Sequence, residues 1–352
     1  MLAAFFATAA LTTTLIIFLY WSKGVRVICM VLSYLAALAS IRLCVNAVVT
    51  QNFAFPLFLT MSHFVGSAAV AFICAHIWQA ERNWPTGQQW VTFFLPVAAA
   101  HATSVSVSNI AIVHATISFV EVVSATTPLV TFGTVFLFGQ PLRTVLLYPL
   151  AVIVMGTIIA SEGQVAFSLL GFVLVFSGNI LRSVKATMQQ ILLVKGPDGK
   201  AAFTPLEVTA CTSLPCAVLM GVWSLLTEGL APVRALAQAN ASLAGAFVLS
   251  IVVACFLNIS VLFTIKELGA VGTQLVGQAK TLLVVLGSMA IFGDQVTPVE
   301  AGGFGLVMFG VWSYNYLDTG FKRAAAEKNE KGDLIKKAQG EVTQASCTSE
   351  PR

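Results

Sequence analysis

The sequence predicts an all-α polytopic membrane protein: a ten-helix bundle built from two inverted five-helix repeats, with an extra N-terminal helix as an option. Three observations predict it. Hydrophobic residues make up 57% of the 352 positions and charged residues only 10%, where soluble domains carry about 25% charged residues. Apolar stretches of roughly 20 residues, long enough to cross a bilayer, recur along the chain. A segment of the first half also returns, without a gap, in the second. The net charge of +4 sits mostly in short connectors and near the end of the chain, so it concerns topology rather than nucleic-acid binding.

In chain order the apolar windows fall at about 27–49, 56–79, 90–110, 114–138, 144–161, 165–194, 204–228, 243–265, 268–293 and 298–318. Assigning alternate connectors to one side collects Lys23, Arg26, Arg82, Arg143, Lys195, Lys200, Lys266, Lys322 and Arg323, and leaves Arg234 on the other. The positive-inside rule then places both ends of the core in the cytosol. Residues 1–22 are a hydrophobic extension without a basic start, which reads as an added spanning helix or an organelle-targeting leader. Residues 23–318 form the ten-helix domain, with repeats at about 23–162 and 163–318. Residues 319–352 mix Lys, Glu, Gln and Ser and read as a disordered cytosolic tail. Pro96, Pro128, Pro149 and Pro215 lie inside windows and predict kinks. The seven cysteines lack metal spacing and read as small core residues. Asn240-Ala-Ser242 is a sequon, but in a connector too short and too close to the membrane for glycosylation to be expected.

The repeat is visible when Ala125–Gln140 is laid over Ala279–Asp294. Ala125/Ala279, Thr127/Thr281, Leu129/Leu283, Gly133/Gly287 and Gly139/Gly293 match, and the register continues to Gly156/Gly310. Repeats with an odd number of spans insert in opposite orientations, an architecture of secondary transporters in which the ligand binds near the midplane between the halves.

Charged residues inside the windows need a reason. Lys280 lies in the middle of an uncharged stretch, and a cation at mid-membrane costs about 2.5–3.5 kcal/mol on insertion scales, so it faces a counter-ion or a wet cavity suited to an anion. Thr273 and Gly277 share its helical face, with Gln274, Gln278 and Thr281 beside it. In the sixth window Gly178, Arg182, Lys185 and Gln189 fall at i, i+4, i+7 and i+11 on one face. The Arg182 fork can bind phosphate or carboxylate bidentately, and Lys185 adds a point charge a turn away. Glu121 is the carboxylate near mid-membrane in the fourth window, and reads as a structural ion pair or a coupling site. Thr127 and Asn258 can add polar contacts; Arg42, His63, His101 and Asn258 are weaker candidates, since a lone His or Asn in a membrane more often makes an interhelical hydrogen bond than touches substrate.

Four short motifs in order carry a family resemblance over about residues 27–318. They are Phe55-Pro-Leu-Phe-Leu-Thr-Met-Ser-His63, Ala125-Thr-Thr-Pro128, Leu181-Arg-Ser-Val-Lys185 followed by Gln189, and Gly277-Gln-Ala-Lys280. Together they resemble the drug/metabolite transporter superfamily, and within it the plastid phosphate translocator and nucleotide-sugar transporter branch. The departures are informative. Plastid triose-phosphate translocators carry a Lys-Arg pair in the ninth helix and a lysine in the fourth, whereas this chain has Lys280-Thr281 and Ser124, so it is more similar to the Lys-Thr branch, which includes Golgi nucleotide-sugar carriers. The Phe-Tyr-Asn-Asn motif of GDP-mannose carriers is absent from the seventh window.

The resemblance implies a secondary-active antiporter that exchanges a phosphorylated organic anion, foremost a nucleotide sugar, for a counter-anion such as a nucleoside monophosphate. A plastid-type sugar phosphate/phosphate translocator is the alternative, and a receptor or scaffold without transport is a further one. The expected setting is the lipid bilayer of the Golgi or endoplasmic reticulum, with the plastid envelope as the other option; a homodimer is left open. No HExxH, GxSxG or paired mid-membrane carboxylates occur, so neither enzymatic chemistry nor a cofactor is expected.

Overall fold

The computed structural model describes residues 2–78, 83–114, 120, 123–140, 143–160, 169–194, 202–292, 297–299, 302–303 and 305–321, with side chains for all of these but 2–23, 42, 109, 112–114, 160 and 279–292. Among the described residues every regular element is helical. The helical run Leu2–Val49 breaks at Gly24 (φ 81, ψ 169), and the run Ala241–Phe292 breaks at Gly269 (φ 80, ψ 172). That backbone region is open only to glycine without strain. We therefore number the core helices α1 (Gly24–Val49), α2 (Pro56–Trp78), α3 (Leu95–His114, entered through a π-helical turn at Trp90–Phe94), α4 (Thr127–Leu137), α5 (Leu147–Ala160), α6 (Leu169–Val194), α7 (Pro205–Thr227), α8 (241–268), α9 (270–292) and α10 (305–321). Six described helices are long and apolar enough to cross a bilayer.

The predicted proline kinks are largely absorbed elsewhere. Pro128 sits in the first turn of α4 and Pro149 early in α5, where a missing N–H costs nothing, and Pro96 follows the π-helical turn. Pro215 alone of the four interrupts the middle of a helix, α7. The sharp breaks fall at glycines that the sequence reading had passed over. The helix ends are chemically closed. Thr204 and Glu207 form a capping box on α7, and Asn240 Oδ1 accepts from Leu243 N at 2.7 Å at the start of α8, so the sequon asparagine serves as a cap.

Antiparallel α2 and α7 pack along their length. Glu228, just past α7, accepts from Leu57 N and Phe58 N, both at 2.9 Å, so a carboxylate closes the positive end of α2. At the other end Glu207 accepts from Asn83 N at 2.8 Å. α3 packs on α6, α4 on α6 and α9, α2 also on α8, and α1 against the α8–α9 run. Glycines set the crossing of α5 and α10. A Cβ on Gly156 would fall 2.8 Å from Gly303 O and Val307 N, and one on Gly310 would fall 2.9 Å from Pro149 O and 3.2 Å from Ile153 N. The largest buried apolar cluster, which includes Phe94, Leu150, Leu192, Phe203, Leu275 and Val311, joins the ends of helices at one end of the bundle.

Candidate functional site

α6 is held from two sides. On one, Ser183 Oγ lies 2.8 Å from Thr131 Oγ1 and Thr187 Oγ1 lies 3.0 Å from Thr134 Oγ1, while the Asn179 amide donates to Val123 O at 2.9 Å, so hydroxyls and amides fasten α6 to α4. On the other, Gly178 lets α3 approach until an added Cβ would stand 3.4 Å from Ser108 Oγ. One turn later Arg182 Nη2 donates to that same Ser108 hydroxyl at 3.3 Å. The small residue and the arginine therefore act together: close approach at Gly178 brings the hydroxyl that aims the guanidinium.

Arg182 lines a cavity of about 340 Å³. Its other walls are Tyr34, Leu38 and Ile41 from α1, Ser108 and Ala111 from α3, Val120, Ser124 and Thr127 around the start of α4, Val175 and Asn179 from α6, and Gln274, Gly277 and Gln278 from α9. Among the described residues, five helices thus meet around one guanidinium and a set of neutral hydrogen-bonding groups. Gln278 Nε2 donates to Ser124 O at 3.4 Å, bridging α9 to the start of α4. The start of α9 is itself fixed by Gln190 Oε1, which accepts from Ala270 N at 2.6 Å directly after the Gly269 break. The lining comes from the middle of α1, the later half of α3, the start of α4, α6 up to Arg182 at its middle, and the earlier half of α9, where Gln274 adjoins the cluster residue Leu275, so the cavity lies within the bundle next to the apolar cluster.

Of the residues singled out from sequence, Arg182, Thr127, Gln274 and Gln278 meet at this cavity. Lys185 is half-buried one turn further along α6, within electrostatic range of Arg182, His101 and Cys216, and does not line it. Gln189 is buried, and its Oε1 accepts no hydrogen bond among the described residues. Asn258, grouped with the ligand contacts from sequence, stands apart: its amide donates to Ser67 Oγ at 2.9 Å and ties α8 to α2. His63 does the same through Ser250, with Nε2 and Oγ 3.1 Å apart, and His101 lies edge-on to Phe64 with ring centroids 4.8 Å apart. Lys280 and Thr281 belong to α9, three and four residues beyond Gly277; their side chains and that of Arg42 lie outside the described set, as does Glu121. The sequence reading missed Tyr34, Asn179 and Gln190. Asn179 carried a usable signal, a buried amide in an apolar helix beside Gly178; Tyr34 carried none.

A bundle of membrane-length helices around a polar cavity, with no group of three or more His, Cys, Asp or Glu among the described residues placed to hold a metal, has the form of a solute carrier. Residues 25–315 match the model of the Triose-phosphate Transporter family, and the chain belongs to that family, within the drug/metabolite transporter superfamily. It is an integral multi-pass transporter and not an enzyme. Among curated proteins it is similar to a probable sugar phosphate/phosphate translocator of Arabidopsis thaliana, 26% identical over 271 residues that cover 76% of this chain and 72% of that one. It is also 26% identical over 278 residues to UDP-uronic acid transporter 1 of the same plant, covering 77% and 88% of the two chains. A crystal structure with 15% identity shares the fold at a TM-score of 0.59, covering 83% of this chain and 96% of the other.

Proposed function

We propose that this protein is a secondary-active antiporter for a phosphorylated organic anion, with a nucleotide sugar exchanged for a nucleoside monophosphate as the leading pair. The observation that carries the proposal is the cavity that surrounds Arg182 with neutral hydrogen-bonding side chains. A guanidinium binds a phosphoryl group through two parallel bonds, and hydroxyl and amide walls suit a sugar or base. Lys280, and Lys185 deeper along α6, supply the further cations of this reading, with Gln189 and Thr281 beside them and Glu121 as their ion pair or coupling site. The cations repel one another in the empty site. Changing access without a bound anion is therefore costly, a physical route to strict exchange.

In this reading two five-helix halves rock around the cavity. Support comes from the glycine crossing of α5 and α10, where adding 154 to Gly156, Pro149 and Ile153 gives Gly310, Gly303 and Val307: each glycine meets the counterparts of the residues that meet its own equivalent. The packing pairs are consistent with the same exchange, since α3 with α6 becomes α8 with α1, joined through Val48 with Leu243 and Phe247 and through Val31 and Leu35 with Leu268, and α2 with α7 maps onto itself. By the charge asymmetry of the connectors the apolar cluster seals the cytosolic end and the cavity lies just beyond it, with the C-terminus cytosolic and a Golgi or endoplasmic reticulum membrane as the setting.

A sugar phosphate/phosphate exchanger is the second reading, favoured by the similarity to several plant proteins named as probable sugar phosphate/phosphate translocators. Counterflow in proteoliposomes separates the two. Nucleotide sugars and nucleoside monophosphates are expected to compete for exchange. Competition by triose phosphate or inorganic phosphate alone would replace the substrate with the smaller one.

A further inference from the structure

Tyr34 is the side chain of the cavity that no motif explains. Its ring packs in α1 against Val31, Leu35, Leu268 and Val276, which leaves the residue only 7% exposed. Packing of this kind fixes the ring and delivers the hydroxyl to one place. That place is the cavity wall at Gly277: a Cβ on Gly277 would stand 3.5 Å from the Tyr34 hydroxyl oxygen. A buried phenol normally finds a partner, yet among the described residues the structure gives this hydroxyl none, and Arg182 lies within its electrostatic reach. A glycine at 277 leaves the front of the hydroxyl uncovered.

We infer that the Tyr34 hydroxyl is a substrate contact, donating to an oxygen of the same anionic group that Arg182 binds, so that α1 and α6 close on the ligand from opposite sides. The inference rests on the proposed function. A neutral donor aimed beside a guanidinium suits a phosphoryl group, which offers several acceptor oxygens in different directions. It also gives the bound anion a grip on α1, and through the ring on the packed surface of α8 and α9.

The test uses the purified full chain with uridine monophosphate, glucose 6-phosphate and inorganic phosphate as probes, read by ligand-induced thermal stabilisation and by counterflow. Tyr34→Phe keeps the ring and should leave the melting temperature of the unliganded protein unchanged, while weakening the probe that stabilises wild type by about tenfold or more, the loss expected for a hydrogen bond to a charged group. Gly277→Ala, whose methyl group would cover the hydroxyl without a clash, should weaken the same probe in the same direction. In an Arg182→Lys background the Tyr34→Phe loss should shrink, because the two groups share one anion. If Tyr34→Phe binds and exchanges as wild type, or lowers the melting temperature of the unliganded protein as a packing defect would, the inference is wrong while the antiport reading stands. If none of the probes binds wild type, that reading fails and takes the inference with it.

Discussion

The two faces of α6 use similar polar residues for opposite ends. Toward α4, Ser183 and Thr187 are buried and paired with Thr131 and Thr134 in a short hydroxyl ladder. Toward α3, Arg182 reaches the cavity wall beside Ser108, Lys185 stands near His101, and the Gln189 carbonyl oxygen is buried without a hydrogen bond among the described residues. In lipid a polar side chain is stable when it meets another polar group, and the ladder meets that condition in every rung. The other face does not satisfy itself so completely. Access to the cavity rather than polarity separates Arg182, which lines it, from the ladder hydroxyls that hold the bundle together.

The largest effect is expected where the comparison is sharpest. Arg182→Ala should reduce exchange by about 10- to 150-fold, the worth of a charge-assisted hydrogen bond of about 1.5–3 kcal/mol, and leave thermal stability close to wild type. Initial rates of counterflow and the melting temperature, measured on one preparation, check both halves of the statement. Normal exchange by this variant would move the ligand away from α6.

Gln189→Leu is expected to act next in size, and in the opposite sense on stability. Removing a buried acceptor that lacks a donor recovers part of a desolvation cost of about 1–3 kcal/mol, so the melting temperature should hold or rise. Exchange should fall if the amide meets the ligand once the sealed end opens. A loss of stability would mean that Gln189 is held by the protein and belongs with the ladder.

This division was only half legible in the sequence. The class of protein and its long apolar helices could be read from composition, and Arg182, Gln274 and Gln278, which line the cavity, stood out because charge and amide in an apolar run are rare and costly. Helical spacing put Gly178, Arg182, Lys185 and Gln189 on one face, and the structure separates them along it: the arginine reaches the cavity and the other three do not line it. Spacing fixes the angle around a helix but not the depth of a cavity across it. Asn258 lies away from the cavity for a related reason, since spacing does not show its partner Ser67, 191 residues away in sequence. Tyr34 was invisible because an aromatic ring in a membrane helix is ordinary until its hydroxyl is seen to face a glycine. The breaks at Gly24 and Gly269 were missed because glycine is common in such helices, and only a positive φ distinguishes the one that turns the chain.

The smallest effect belongs to the ladder, and it tests the comparison from the other side. Thr131→Val and Ser183→Ala each remove one half of a 2.8 Å contact that joins α4 to α6. Hydrogen bonds between membrane helices average about 0.6 kcal/mol and rarely exceed about 1.7 kcal/mol, because the unfolded chain in lipid finds other partners. The double-mutant cycle should therefore give a coupling of about 0.6 kcal/mol in unfolding free energy. Exchange rates and the affinity for any bound anion should be unaltered in all three variants, since neither hydroxyl lines the cavity. A change in affinity without a change in stability would put Ser183 among the ligand contacts and remove the distinction between the two faces of α6.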